Sequence, residues 1–141
     1  VILWERQTGE KKYELPLNNA IASVALSADG KYAFGAAQLG NAKIWSTRTG
    51  KELTKIDTGA LQYRNVTISQ AVFAKDDRTI LIGEVTGRVT LAQVSTGIVQ
   101  KEWDIMQQKS RLTGSVVLAL AYGPGNRYYA IGSNGYFNVL E

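Results

Sequence analysis

The 141-residue chain contains neither histidine nor cysteine, so the side chains left for chemistry are few. Without imidazole, a Ser-His-Asp triad and a histidine metal site are impossible. Without thiols there are no disulfides, thiolate metal sites or cysteine nucleophiles. Three carboxylates stand out: Asp29, and the adjacent pair Asp76 and Asp77. The pair could suggest shared acid chemistry or a calcium loop, but the further Asp and Gly spacing of an EF-hand is missing. Acids in this kind of setting far more often shape a hairpin turn, and that is the expected role. Glycines such as Gly35, Gly83 and Gly123 build no phosphate cradle, because no G-x-x-x-x-G-K-[ST] run occurs. No catalytic, cofactor-binding or metal-ligating residue is therefore expected. What remains is recognition chemistry: Tyr63 with Arg64, and Lys109 with Arg111. Tyr and Arg are enriched where interfaces concentrate their binding energy.

Positioning such side chains requires a scaffold, and the sequence repeats itself to make one. Thr8-Gly9, Thr49-Gly50 and Thr96-Gly97 mark one turn three times. Ser27-Ala28-Asp29-Gly30-Lys31 lines up with Ala74-Lys75-Asp76-Asp77-Arg78 and then with Gly123-Pro124-Gly125-Asn126-Arg127. A third small-residue turn recurs at Gly40, Gly87 and Gly135, with Asn134-Gly135 reading as a type I′ hairpin. The order of markers is constant, and the period is roughly 40–45 residues.

Between the markers lie short strands. Ile21 to Leu26, Ile68 to Phe73 and Val116 to Tyr122 are apolar enough for burial on both faces. Tyr32 to Ala36, Thr79 to Gly83 and Tyr128 to Gly132 follow, then Ala42 to Trp45, Val89 to Ala92 and Tyr136 to Leu140. A fourth, more polar strand comes after each Thr-Gly: Lys11 to Leu15, Glu52 to Ile56 and Ile98 to Trp103. Its Lys and Glu suit an outer edge. No stretch carries helical periodicity with caps. The expected class is all-β, in units of four antiparallel strands.

At these residues the chain resembles the WD-repeat β-propellers. The segment Ile21–Gly50 carries the pattern best, with Lys43-Ile44-Trp45 and Thr49-Gly50-Lys51 closing it. Leu3-Trp4-Glu5 with Thr8-Gly9 looks like the end of a preceding blade. The signature Trp-Asp pair stands as Trp45-Ser46, Trp4-Glu5, Ala92-Gln93 and Leu140-Glu141, and the Gly-His pair has no counterpart. The family's buried His/Asp/Ser/Trp network thus cannot form, which leaves apolar packing and strand ladders to hold the blades. Quinoprotein-like propellers, in which Thr-Gly precedes a Trp, are similar through Thr96-Gly97 and Trp103. The resemblance implies a partial blade at 1–17, blades at 20–57 and 66–104, and a partial blade at 116–141. About three blades cannot close a ring. The segment is expected to be a piece of a longer propeller or half of a ring made by two copies. Trp45 and Trp4, on third strands, are expected to pack between blades.

In such an architecture the loops between fourth and first strands share one face with those between second and third strands. Asp57 to Val66 and Asp104 to Ser115 are longer than Pro16 to Ala20, and they carry Tyr63, Arg64, Lys109 and Arg111. The resemblance and the loops together imply a non-catalytic protein–protein interaction scaffold, with local charge favouring an acidic protein or peptide. The other partners expected are further blades of a longer chain, or a second copy. The alternative is a quinoprotein-like or other cofactor-binding propeller enzyme whose site lies outside this segment. The net charge of +4 is scattered from Arg6 to Arg127, with acids interleaved, so no nucleic-acid partner is expected. No apolar run approaches the ~20 residues of a membrane span. The opening Val1-Ile2-Leu3-Trp4 has no charged region before it, so no signal peptide is expected here. The compartment stays open.

Overall fold

A computed structural model describes residues 1–38, 42–56, 66–105 and 115–141. Those residues form thirteen strands and no helix: β1 (Ile2–Trp4), β2 (Lys11–Glu14), β3 (Ile21–Leu26), β4 (Tyr32–Ala37), β5 (Ala42–Ser46), β6 (Glu52–Lys55), β7 (Ile68–Phe73), β8 (Thr79–Glu84), β9 (Arg88–Gln93), β10 (Val99–Asp104), β11 (Val117–Tyr122), β12 (Tyr128–Gly132) and β13 (Phe137–Leu140). They make four antiparallel sheets in chain order: β1-β2, β3-β4-β5-β6, β7-β8-β9-β10 and β11-β12-β13. The all-β expectation of four-stranded antiparallel units holds.

Each sheet has a leading face, toward the sheet before it in the chain, and a trailing face, toward the one after. Side-chain alternation along a strand sends successive residues to opposite faces. In β8, Ile80 and Ile82 lead while Leu81 trails, and all three are fully buried. Three apolar layers result. Leu15 with Leu3 and Tyr13 meets Ala33 and Trp45; Phe34, Ala36 and Ile44 meet Ile68, Ile80 and Ile82; Leu81, Val89 and Leu91 meet Val117, Ala130 and Leu140. Central strands β4 and β8 are buried almost throughout, because both faces lie within these layers.

The backbones approach most closely at the first strands: β3 lies against β7, and β7 against β11. Among the described residues the outer strands of successive sheets show no comparable approach. Sheets that converge at their inner strands and diverge outward form a fan, which is the geometry of propeller blades.

Turn chemistry explains the sharp connections. The Thr-Gly markers place Gly9, Gly50 and Gly97 at φ of 69°, 69° and 72°. At Ser46–Gly50 the Gly50 N–H donates to the Ser46 carbonyl at 2.8 Å, and the same bond closes the other two turns. A Cβ at Gly50 would strike the Tyr13 ring of the first sheet, and one at Gly97 would strike the Lys55 carbonyl of the second. Gly9, with no sheet before it, meets nothing within 4 Å. These turns seat one blade on the previous one.

Four expectations need correction. Asn134-Gly135 is not a type I′ turn: only Gly135 has positive φ, at 83°, and its N–H donates to the Gly132 carbonyl at 2.9 Å. That is a type I turn followed by a left-handed glycine. Trp4 is not packed between blades but 60% exposed, whereas Trp45 is fully buried. Among the described residues no sheet lies against its outer side. For the same reason β3 is not buried on both faces: it exposes Ile21, Val24 and Leu26 where the inner strands of a preceding sheet would lie. Finally, the turn before β12 is one residue shorter than its counterparts. Tyr122 pairs with Tyr128, where Leu26 pairs with Ala33 and Phe73 with Ile80. Tyr128 therefore corresponds to Ile80, not to Thr79 as marker alignment suggests.

Candidate functional site

The two ends of the sheets differ in chemistry. One carries the hairpin turns with Asp29, Asp76 and Asp77. There Asp29 Oδ1 accepts from Ser27 Oγ and from the Lys31 N–H, both at 2.9 Å, and its carboxylate pairs with Lys31 Nζ at 2.5 Å. Asp76 Oδ1 accepts from the Arg78 N–H at 3.1 Å. Both act as turn formers, as the sequence suggests. Asp77 occupies the left-handed position, at φ 57°, and its Oδ1 is buried with no partner among the described residues. Burial first, then the Asp29 carboxylate across the blade boundary, pushes the Asp77 carboxyl above its ordinary value. The Lys31 ammonium, helped by the Lys31 N–H, holds Asp29 far below its own. A shallow cleft of about 390 Å³ opens here, lined by Lys31, Tyr32, Asp77 and Gln93 among others. Among the described residues no three His, Cys, Asp or Glu side chains converge as metal ligands do.

The opposite end receives the connections from fourth to first strands and from second to third. Antiparallel four-strand units impose this, since alternate connections fall at opposite ends. The segments 57–65 and 106–114 run between described residues at this end. Their flanks are firmly set. Ile56 and Val66 bracket the first and Ile105 and Ser115 the second, and all four are buried. The Ile56 N–H donates to the Ala42 carbonyl at 3.0 Å, and the Ile105 N–H to the Gly87 carbonyl at 2.9 Å. Serine hydroxyls knit the start of β11 to the end of β12, and a further one joins that sheet to the sheet before it. The Val116 N–H donates to Ser133 Oγ at 3.0 Å, and the Asn134 N–H to Ser115 Oγ at 3.2 Å. Ser69 Oγ adds a bond to the Val117 carbonyl at 2.7 Å. Tyr63, Arg64, Lys109 and Arg111 themselves lie outside the described residues. The structure thus brings the four segment ends to one edge and leaves those side chains unplaced.

One residue at this edge escaped the sequence reading. Glu84 ends β8 and is only 2% exposed. Thr86 Oγ1 donates to its Oε2 at 2.8 Å, while Oε1 has no partner among the described residues. Burial pushes its carboxyl above the ordinary value, against the smaller opposing effects of the Thr86 hydroxyl and the Arg88 charge. Its signal was an acid closing the apolar run Thr79–Gly83, which ordinarily reads as a solvated strand end. Arg88 is engaged elsewhere, with Asp104 at 3.3 Å and Glu102 at 3.9 Å.

No family model matches the chain, and no curated protein matches it in sequence. Solved structures do match in shape. The crystal structure of the computationally designed Ika4 protein superposes with a TM-score of 0.73 at 16% identity, over 99% of this chain and 77% of that one. The β-propeller domain of Cps50 (Swd1) from Myceliophteria thermophila superposes with a TM-score of 0.75, also at 16% identity, over 99% of this chain and 44% of that one. The chain thus spans under half the length of that propeller protein. At this identity the likeness establishes architecture alone: an all-β segment of β-propeller blades.

Proposed function

We propose that this chain is a non-catalytic scaffold for protein–protein interaction, holding an acidic protein or peptide at the edge from which segments 57–65 and 106–114 leave. The observation that carries the reading is the anchoring of that edge. Both segments are clamped at each end by buried residues on rigid sheets, the arrangement in which loops serve recognition. The segment 106–114 carries Lys109 and Arg111 and no acid, while 57–65 offsets Arg64 with Asp57. The net local charge is positive, which favours an acidic partner. Assignment to the WD repeats, and the division into blades at 1–17, 20–57, 66–104 and 116–141, belong to this proposal. They rest on the repeat markers and on the propeller architecture. The non-catalytic reading rests on the lack of His and Cys and on turn roles for Asp29 and Asp76.

The test is selection of acidic peptides from a display library by the intact chain. The double variants Tyr63→Ala/Arg64→Ala and Lys109→Ala/Arg111→Ala should each weaken binding of the selected peptides by roughly tenfold or more, as loss of interface anchors does. The circular dichroism should not change. Undiminished binding by both variants would reject the loop edge as the site.

A further inference from the structure

Three outer strands share one irregularity. In β2, β6 and β10 the pairing passes over a single residue, and that residue is Lys12, Leu53 or Gln100. An extra residue of this kind takes its side chain out of the regular alternation. Lys12 and Gln100 are polar, as an outer edge favours. Leu53 is the exception, and it is 47% exposed. The turn before each outer strand varies in the same way. A Thr-Gly glycine N–H closes all three turns, and two places before that glycine stands Gln7, Arg48 or Ser95. Among these three sheets, only the second sets an aliphatic side chain and a cation at the two positions.

Arg48 and Leu53 border one open cleft of about 540 Å³, at the end of the second sheet that carries the hairpin turns. Tyr32 and Leu53 supply its apolar surface, and its charged lining residues, Lys31 and Arg48, are both cationic. Tyr32 is held by stacking on Phe73 of the third sheet, ring centroids 6.4 Å apart and planes at 24°. That aromatic surface is therefore preformed. The third sheet leaves the cleft uncovered, because its β9–β10 turn meets the second sheet through Gly97 at Thr54 and Lys55, just past Leu53. Both of these sheets have their four strands. The backbone at the rim is fixed. The Thr47 N–H donates to the Lys31 carbonyl at 3.0 Å, and Tyr13 Oη donates to the Arg48 carbonyl at 2.7 Å. Lys31 is paired with Asp29, whereas the exposed Arg48 side chain makes no ion pair among the described residues.

We propose that this cleft binds an extended peptide segment of a partner protein in which an apolar residue stands two places from an acid. The apolar side chain rests on Tyr32 and Leu53, and the carboxylate pairs with Arg48. The spacing follows from strand geometry, since side chains two residues apart share a face and lie about 7 Å from each other. A carboxylate is selected because the charged lining is cationic and a guanidinium can hold it through two parallel hydrogen bonds. An open cleft does not enclose a small molecule as ligand pockets do, but it accepts a chain lying across it. The site lies at the end of the sheets opposite to segments 57–65 and 106–114, so it stands or falls independently of the proposed function.

The test is an NMR titration of the isotope-labelled intact chain with the blocked peptide acetyl-Gly-Glu-Ser-Leu-Ser-Glu-Gly-amide. An acid stands two places to either side of its leucine, so both chain directions are served. Saturable shifts are expected at Lys31, Tyr32, Thr47, Arg48 and Leu53, with a Kd of roughly 0.1–1 mM for so few contacts. Arg48→Ser and Leu53→Gln install the residue types that the third sheet carries at the same positions, so turn and strand are preserved. Each should raise the Kd about fivefold or more, as loss of an anchor does. Replacing both peptide acids with glutamine should weaken binding to the wild-type chain as much, and should add little to the loss in Arg48→Ser. No saturable shift at these residues up to about 5 mM peptide would overturn the proposal. So would an affinity that both variants leave unchanged, or shifts confined to Val66, Ile105 and Ser115 at the opposite edge. If either variant loses its β-sheet dichroism, Arg48→Gln or Leu53→Thr replaces it with the same expected pattern.

Discussion

Two tryptophans at one position of successive blades meet opposite fates. Trp45 is sealed beneath the first sheet and Trp4 stands in solvent, so burial here is decided by the neighbour and not by the residue. The sealed indole carries a penalty of its own, because Trp45 Nε1 has no acceptor among the described residues. Truncation and isosteric replacement should then separate. Trp45→Ala should cost ~3–5 kcal/mol through the cavity it leaves. Trp45→Phe should cost less, about 2 kcal/mol or below, because it also removes an unpaired buried donor that costs ~1–3 kcal/mol. Urea unfolding of both variants measures the difference, and equal losses would mean that the N–H is satisfied after all. Glu84 offers a pH signature on the same grounds. Its folded pKa is raised by burial, so the ionised carboxylate opposes folding above that pKa, and the penalty disappears as pH falls through it. Glu84→Gln should therefore melt higher than wild type at pH 7, with a gap that closes on acidification to about pH 4. A gap independent of pH in paired thermal melts would contradict this.

At the scale of the element, the Thr-Gly turns divide by what lies beneath them. Gly9 and Gly97 share nearly the same left-handed φ, yet only Gly97 abuts the preceding blade, at the Lys55 carbonyl and Thr54 Oγ1. Gly9→Ala should cost about 1 kcal/mol, the backbone penalty alone. Gly97→Ala should cost roughly 2–4 kcal/mol, since the blade contact must also shift. Chemical denaturation of the two variants side by side tests this, and equal costs would show that the turn does not seat the blade. Strands were legible in the sequence because short apolar runs and the polar turns that bound them recur in constant order at Ile21–Leu26, Ile68–Phe73 and Tyr128–Gly132. Register was less so. One residue fewer between Tyr122 and Tyr128 moves the side chains of β12 to the other face relative to the alignment of Gly123–Arg127 with its counterparts. Hairpin length, not the resemblance of Gly123–Arg127 to its counterparts, decides which face Tyr129 and Ile131 occupy.

For the molecule as a whole, what could be read in advance was the repeat and the all-β class, because both are written in local spacing. The exposure of Trp4, Leu26 and Phe137 was not, since it depends on which sheets stand before the first and after the last. Nor was the buried carboxyl of Glu84, since an acid closing an apolar run ordinarily reads as a solvated strand end. The recognition edge was legible only as an expectation from loop length: its flanks Ile56, Val66, Ile105 and Ser115 are fixed, while Tyr63, Arg64, Lys109 and Arg111 lie beyond the described residues.

The layered contacts place every blade under the same two obligations, a surface to offer and a surface to accept, each met by the same positions in every unit. Duplication of one such stretch of gene would insert a unit that already fits both of its neighbours. Length in this architecture can therefore change by whole units without any new interface having to evolve.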